Sequence, residues 1–146
     1  MAKLADEMTK QTSGQYVIIR FCGTSPGSVN ARSLLVSISE HTEFLFGIER
    51  SAVSMGDLKY EDVVKYFHSL VLKHPVILFI DSLDQLTDAD LGRSRISFLK
   101  GVKLHPDSRV IVSCLPDDME VNPETGKKYV YMCETRLREA SVPRVN

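Results

Sequence analysis

Five apolar residues, Val76-Ile77-Leu78-Phe79-Ile80, run without a break and stop at a carboxylate, in the stretch Val76-Ile77-Leu78-Phe79-Ile80-Asp81-Ser82-Leu83-Asp84-Gln85. The run is too short for an independent helix and far too short to cross a membrane. Pro75 precedes it and denies it a helical lead-in. An uninterrupted apolar segment of this length is the pattern of a strand buried on both faces, as in a parallel sheet covered by helices. Asp81 then stands at the strand's carboxyl end, where open α/β sheets hold their ligands. A carboxylate there suits a hydrated Mg²⁺ beside nucleotide phosphates. The same residues also admit a purely structural role, in which Asp81 and Asp84 shape the turn by accepting backbone N–H bonds.

Composition narrows the classes. A chain of 146 residues is one domain's worth, long enough to bury a core. The net charge of −1 leaves no bulk field to favour nucleic acid or an anionic membrane. No run approaches the roughly 20 apolar residues of a membrane span. The amphipathic, acid-containing start Met1-Ala2-Lys3-Leu4-Ala5-Asp6-Glu7-Met8 is not a secretory signal. Cys22, Cys114 and Cys133 are odd in number and form no CxxC pair. They fit reduced thiols of a cytoplasmic protein better than a disulfide framework or a zinc site.

The elements alternate along the chain. Residues 1–12 read as a helix, with Leu4, Ala5 and Met8 on one face and Gly14 as a stop. Tyr16–Cys22 is β-branched and aromatic and reads as a strand, with Arg20 facing solvent if that strand lies at an edge. The loop Gly23-Thr24-Ser25-Pro26-Gly27-Ser28 is rich in glycine and hydroxyls but matches neither GxxxxGK[ST] nor GxGxxG, so it reads as strand-to-helix punctuation. Ser28 is the expected N-cap of a helix through Phe46, closed by Gly47, with Leu34, Leu35, Ile38, Leu45 and Phe46 inward. Arg32, Ser37, Glu40 and Glu43 are left for solvent. Asp57 opens a second helix with Tyr60, Val63, Val64, Phe67, Leu70 and Val71 on one face. His41, His68 and His74 lack partners at metal-ligand spacing. After the Asp81 strand, Ile96, Phe98, Leu99 and Val102 supply the buried side of a short helix, and Arg93 and Arg95 are read as solvated. Arg109–Cys114 is a third strand. Residues 117–128 read as polar loop, 129–133 as a brief extended piece, 134–140 as helix and 141–146 as a frayed tail.

Strand and helix order is that of a three-layer α/β fold, a parallel sheet flanked by helices. Three strings sharpen it. VILFIDSLDQL resembles the Walker B element of NACHT-type NTPases, in the STAND class of P-loop proteins. RVIVSCLPD is similar to the sensor strand that follows it, and VIIRFCGTSPGSVNARSLLVSISE to the second strand and helix of the subgroup carrying NACHT and WD-repeat regions. Together they cover residues 16 to about 118.

The resemblance implies a role for four residues. Asp81 matches the aspartate that holds Mg²⁺ through water, Asp84 the second acidic position, and Ser113 the sensor element. Gln85 stands where many relatives have Glu; an amide orients water but takes no proton from it. Leu115, in Cys114-Leu115-Pro116, stands where many have an arginine. No GxxxxGK[ST] occurs in the chain, so the phosphate cradle and its lysine are missing. The resemblance therefore implies a partial domain over residues 1–146 that begins just after its phosphate loop, with residues 1–12 the remainder of the first helix. It also implies a sheet ordered Tyr16–Cys22, Val76–Asp81, Arg109–Cys114. The Val110-Ile111-Val112 edge would then be bare and prone to pair with another chain.

The leading functional expectation is thus the Walker B half of a nucleotide-binding switch module from a cytoplasmic signalling or scaffold protein, whose intact form binds Mg²⁺ with ATP or GTP. Alone it is expected to bind nucleotide weakly and to self-associate. The alternative is a non-catalytic α/β module that pairs with other protein chains. A phospho-accepting receiver lacks its acidic pair after the first strand, where Arg20-Phe21-Cys22 stands, and no GxSxG elbow argues for a hydrolase.

Overall fold

The computed structural model describes residues 15–49, 54–89, 96–122, 124–129 and 132–142, together with Lys3, Asp6, Glu7 and Lys10. Those four isolated positions are helical; the rest of the helix expected over 1–12 lies outside the described residues, as do Arg93, Arg95 and positions 143–146.

Three strands form one parallel sheet: β1 (Tyr16–Phe21), β2 (Val76–Asp81) and β3 (Arg109–Val112), in the order β1-β2-β3. The Asp81 strand is central, with Phe21 opposite Asp81 on one side and Val112 opposite Ile80 on the other. Order and direction are those expected from the sequence; the first and third strands end one and two residues earlier than Cys22 and Cys114. Alternation along β2 explains its uninterrupted apolar run. Leu78 and Ile80 join Ile18 in the main core, and Ile77 and Phe79 are buried on the opposite face beside Val17, Ile19 and Ile111. Each large side chain so buried contributes about 1.5–3 kcal/mol.

Helices flank this sheet, giving an α/β fold of the kind found in P-loop NTPases. Helix α1 (Ala31–Phe46) and helix α2 (Tyr60–Lys73) pack on each other and on the Ile18–Leu78 face through Leu34, Leu35, Ile38, Val63, Phe67 and Val71. The N-cap of α1 is Asn30, whose Oδ1 accepts from Ser33 N–H at 2.8 Å. Ser28, the expected cap, instead closes a 3₁₀ turn over Pro26–Ser28. Asp57 likewise ends a 3₁₀ turn, and α2 begins at Tyr60. Gly47 stops α1 in the left-handed region at φ 62°, as anticipated.

Several polar side chains expected in solvent are turned inward. Glu43 is buried and accepts from Tyr66 Oη–H at 2.7 Å. Arg20 lies on an edge strand yet folds over α1, donating to Ser37 Oγ, to Ser37 O and to His41 Nδ1 at 3.2 Å. Burial, and then the Arg20 charge, holds the His41 imidazole below its usual range, so its Nδ1 accepts. Edge position alone does not expose a long side chain that finds carbonyl and hydroxyl acceptors on the adjacent helix.

Residues 97–101 form turns where a short helix was expected: Ile96 at φ 44° and Gly101 at φ 69° break any helical run. Ile96, Phe98 and Leu99 are nevertheless buried. The last helix, α3 (Cys133–Glu139), starts one residue before the expected span, and the described residues just before it form no strand. No helix among the described residues is long and apolar enough to cross a membrane.

Candidate functional site

All three strands are parallel, so their carboxyl ends share one crest, and five polar or thiol side chains meet there. Asp81 ends β2. One of its oxygens, Oδ1, accepts the hydroxyl proton of Ser113, the first residue past β3. The same hydroxyl oxygen accepts from Ser82 N–H at 3.0 Å. Ser113 is fixed in turn by its own backbone, donating to Ile80 O and accepting from Leu83 N–H. Among the described residues, Ser113 is the only donor to the Asp81 carboxylate, and Asp81 is half-buried at the crest.

Asp84 has a different environment. It lies three residues on, in a 3₁₀ turn over Leu83–Gln85, and is only 5% exposed. Its Oδ1 accepts from Leu115 N–H at 3.0 Å and its Oδ2 from Gln85 Nε2–H at 2.6 Å. The buried carboxylate therefore ties the β2 exit to the β3 exit with both oxygens engaged. Ser82 reaches this turn through the left-handed region at φ 61°, a conformation uncommon outside glycine and asparagine.

The β1 exit closes the third side. Cys22 N–H donates to Asp81 O at 3.0 Å. Its thiol is pushed up to about 12, first by burial and then by the neighbouring Asp84 and Asp81 charges. Gly23 follows at φ +76°, and a Cβ there would sit 2.7 Å from Gln85 Cβ. Only glycine fits against the Gln85 side chain. Beyond it, Ser25 N–H donates to Ser28 Oγ at 2.9 Å, that hydroxyl donates to Ser25 O, and Thr24 Oγ1–H donates to Phe21 O. The hydroxyls of this loop are bound within the loop, in keeping with punctuation rather than a cradle.

The structure thus brings Asp81, Asp84, Gln85 and Ser113 together at one crest. Reading the sequence alone missed Cys22 and Gly23. Gly23 had a signal, a glycine directly after a strand at the same end as Asp81; Cys22 had none beyond its place at the end of an apolar run. Among the described residues, no group of three or more His, Cys, Asp or Glu side chains forms a metal cluster. The atoms at the crest are nevertheless hard oxygen donors. A carboxylate with one oxygen left without a described donor, beside a serine hydroxyl, fits a Mg²⁺ held through its water shell. The described residues offer no matching row of N–H groups or lysine for phosphates.

Two curated relatives match the chain. NACHT and WD repeat domain-containing protein 2 of Mus musculus is 32% identical over 115 residues, 76% of this chain and 6% of the relative. Its Homo sapiens counterpart is 30% identical over 115 residues, with the same coverage of both chains. The chain spans about 6% of the length of the curated relatives it matches. No family model matches the chain, and no solved structure does. The two matches support a NACHT-like relationship.

Proposed function

We propose that this chain is the metal-facing part of a NACHT-type, nucleotide-binding switch module, with Asp81 the group that holds Mg²⁺ through water beside the phosphates of ATP or GTP. The observation that carries this reading is the Asp81 carboxylate at the carboxyl end of the central parallel strand, oriented by Ser113 and with its second oxygen lacking a donor among the described residues. Asp84 keeps that crest in shape, and Gln85, bonded to Asp84, is placed to orient a water rather than deprotonate it. Within these 146 residues there is no GxxxxGK[ST], so nucleotide binding by the chain alone is expected to be weaker than millimolar. Cytoplasmic signalling or scaffolding, with other protein chains as partners, belongs to the same proposal.

Calorimetry with Mg·ATP tests it. In a polypeptide extended at its N-terminus to include a GxxxxGK[ST] segment, Asp81→Asn weakens Mg²⁺-dependent binding by about tenfold or more. Unchanged affinity removes Asp81 from the site, and micromolar binding by the unextended chain refutes the role given to the absent loop.

A second reading is favoured by a groove of about 490 Å³ along the outer side of β3, walled by Val110, Val112, Leu137 and Val142 and rimmed by Glu134 and Arg138. Among the described residues, β3 pairs with β2 alone. An apolar strand edge of this kind suits pairing with a second copy of the chain. Sedimentation should then show association that rises with concentration and is abolished by Val112→Lys; a monomer at all concentrations rules this reading out.

A further inference from the structure

We propose that Ser25 is a phosphorylation site for a protein kinase that requires proline directly after its acceptor hydroxyl. Of the six prolines in the chain, only Pro26 follows a serine or threonine. Ser25 and Pro26 are exposed, as are Thr24 and Gly27 on either side. Proline disfavours a helical backbone at the residue before it, and Ser25 is extended at φ −152° and ψ 160°. The hydroxyl is thus presented on an extended residue, and the residue after it offers no N–H to a docking enzyme. The site lies just past β1, whereas the apolar groove runs along β3, the opposite edge of the sheet. Pairing between copies through β3 therefore leaves Ser25 uncovered.

Its neighbours in the loop are not free for this part. Thr24 Oγ1–H is committed to Phe21 O at 3.1 Å. Ser28 Oγ accepts from Ser25 N–H and donates to Ser25 O, each at 2.9 Å, so modifying Ser28 would dismantle the turn. Ser25 holds that turn through its backbone, while its own hydroxyl donates only at 3.3 Å, to Ser28 Oγ, a long bond for a hydroxyl. The nucleophile can therefore be altered and the turn kept. There is also room for the added group. A cavity of about 360 Å³ opens beside Ser25, walled by β1 and the first turns of α1, and Arg20 is the one charged residue among those lining it. No carboxylate stands on that lining to repel a dianion.

The kinase moves the γ-phosphoryl group of ATP to Ser25 Oγ. The Oγ–P bond forms as the bond from the γ-phosphorus to the bridging oxygen breaks; ADP leaves with the electron pair, and the hydroxyl proton passes to a base of the kinase. Ser25 then carries a charge of about −1.5 to −2. The loop that bears it is anchored at the crest. Gly23 N–H donates to Ser28 O at 3.0 Å, Thr87 N–H donates to Val29 O at 2.7 Å, and Gly23 lies against Gln85. Phosphorylation therefore sets a strong negative charge on a loop whose base touches the Asp84–Gln85 turn. The site does not use the Asp81 carboxylate, and it stands whether or not the crest takes a metal.

Incubation of the full chain with Mg·ATP and a purified mitogen-activated protein kinase, followed by intact-mass measurement and peptide mapping, tests the proposal. The folded chain should gain one phosphoryl group, on Ser25. Ser25→Ala and Pro26→Ala should each cut incorporation by about tenfold or more, and Ser25→Thr should retain it. Should Pro26→Ala fold poorly by circular dichroism, the wild-type map and Ser25→Ala decide. The modified chain should melt within about 4 °C of the unmodified one, as expected of a change at an exposed loop hydroxyl. Incorporation at another residue with Ser25 unmodified overturns the proposal. So does a folded chain that takes up no phosphoryl group, whether or not a peptide of residues 20–31 does, and so does a larger fall in melting temperature.

Discussion

Two loops leave the same end of the sheet and treat their polar groups in opposite ways. After β1, Thr24, Ser25 and Ser28 bond to one another and to nearby carbonyls. After β2, Asp84 is likewise fully engaged, but Asp81, three residues earlier, has one oxygen bound by Ser113 and one without a donor among the described residues. The first loop has the composition of a binding loop, yet its hydroxyls are bonded locally; the second carries the carboxylate to which the proposed function gives the metal. What distinguishes them is not the number of polar atoms but whether any lacks a partner among the described residues.

Substitutions across the two loops break or sharpen that contrast. Asp84→Ala should have the largest effect, about 2–4 kcal/mol of stability in urea unfolding, because Leu115 N–H and the Gln85 amide lose their acceptor in a buried turn. Gly23→Ala should cost about 1–3 kcal/mol by thermal unfolding, since the alanine meets Gln85 Cβ at a positive φ. Asp81→Asn should cost about 1 kcal/mol or less, its neighbour Ser113 keeping an acceptor. A larger loss from Asp81→Asn than from Asp84→Ala would reverse the structural and binding roles assigned here. Ser25→Ala should lie within about 0.5 kcal/mol of wild type, as an exposed loop hydroxyl should.

An effect absent at neutral pH separates Cys22 from both loops. Its folded-state value of about 12 lies above the ordinary 9.0, so the neutral thiol is the form the fold favours. Its contribution is complete below pH 9.0 and is lost as pH rises toward 12, because the unfolded chain ionises first. Tyr66, raised from 10.0 to about 12 by burial and by its bond to Glu43, adds to the same decline. Denaturant titrations across that window should show a shallower decline in Cys22→Ala and in Tyr66→Phe.

Most of the sheet was legible from residue pattern. A five-residue apolar run between Pro75 and Asp81 has few other uses than a central parallel strand, and Gly47 and the α2 stripe of Val63, Phe67, Leu70 and Val71 followed the helical period. What pattern could not carry was long-range pairing of polar groups. Glu43 and Arg20 looked solvent-facing because their burial depends on Tyr66 and Ser37, residues 23 and 17 positions away. Ser28 lost its cap to Asn30 because a 3₁₀ turn at Pro26 delayed the helix by two residues. At the crest, Asp81 was marked by position and Ser113 by resemblance alone. That Asp84 is sealed rests in part on Leu115, an exposed leucine whose backbone N–H donates to it.

The Asp81 oxygen that has no donor among the described residues can be probed on the chain as it stands. Titration of ¹⁵N-labelled protein with Mn²⁺, a paramagnetic stand-in for Mg²⁺, reports where a divalent ion dwells by broadening nearby amide signals. Broadening should centre on Cys22, Ser82 and Cys114, vanish in Asp81→Asn and persist in Asp84→Asn. Broadening that is indifferent to Asp81→Asn, or that never reaches this end of the sheet, would contradict a metal-facing crest.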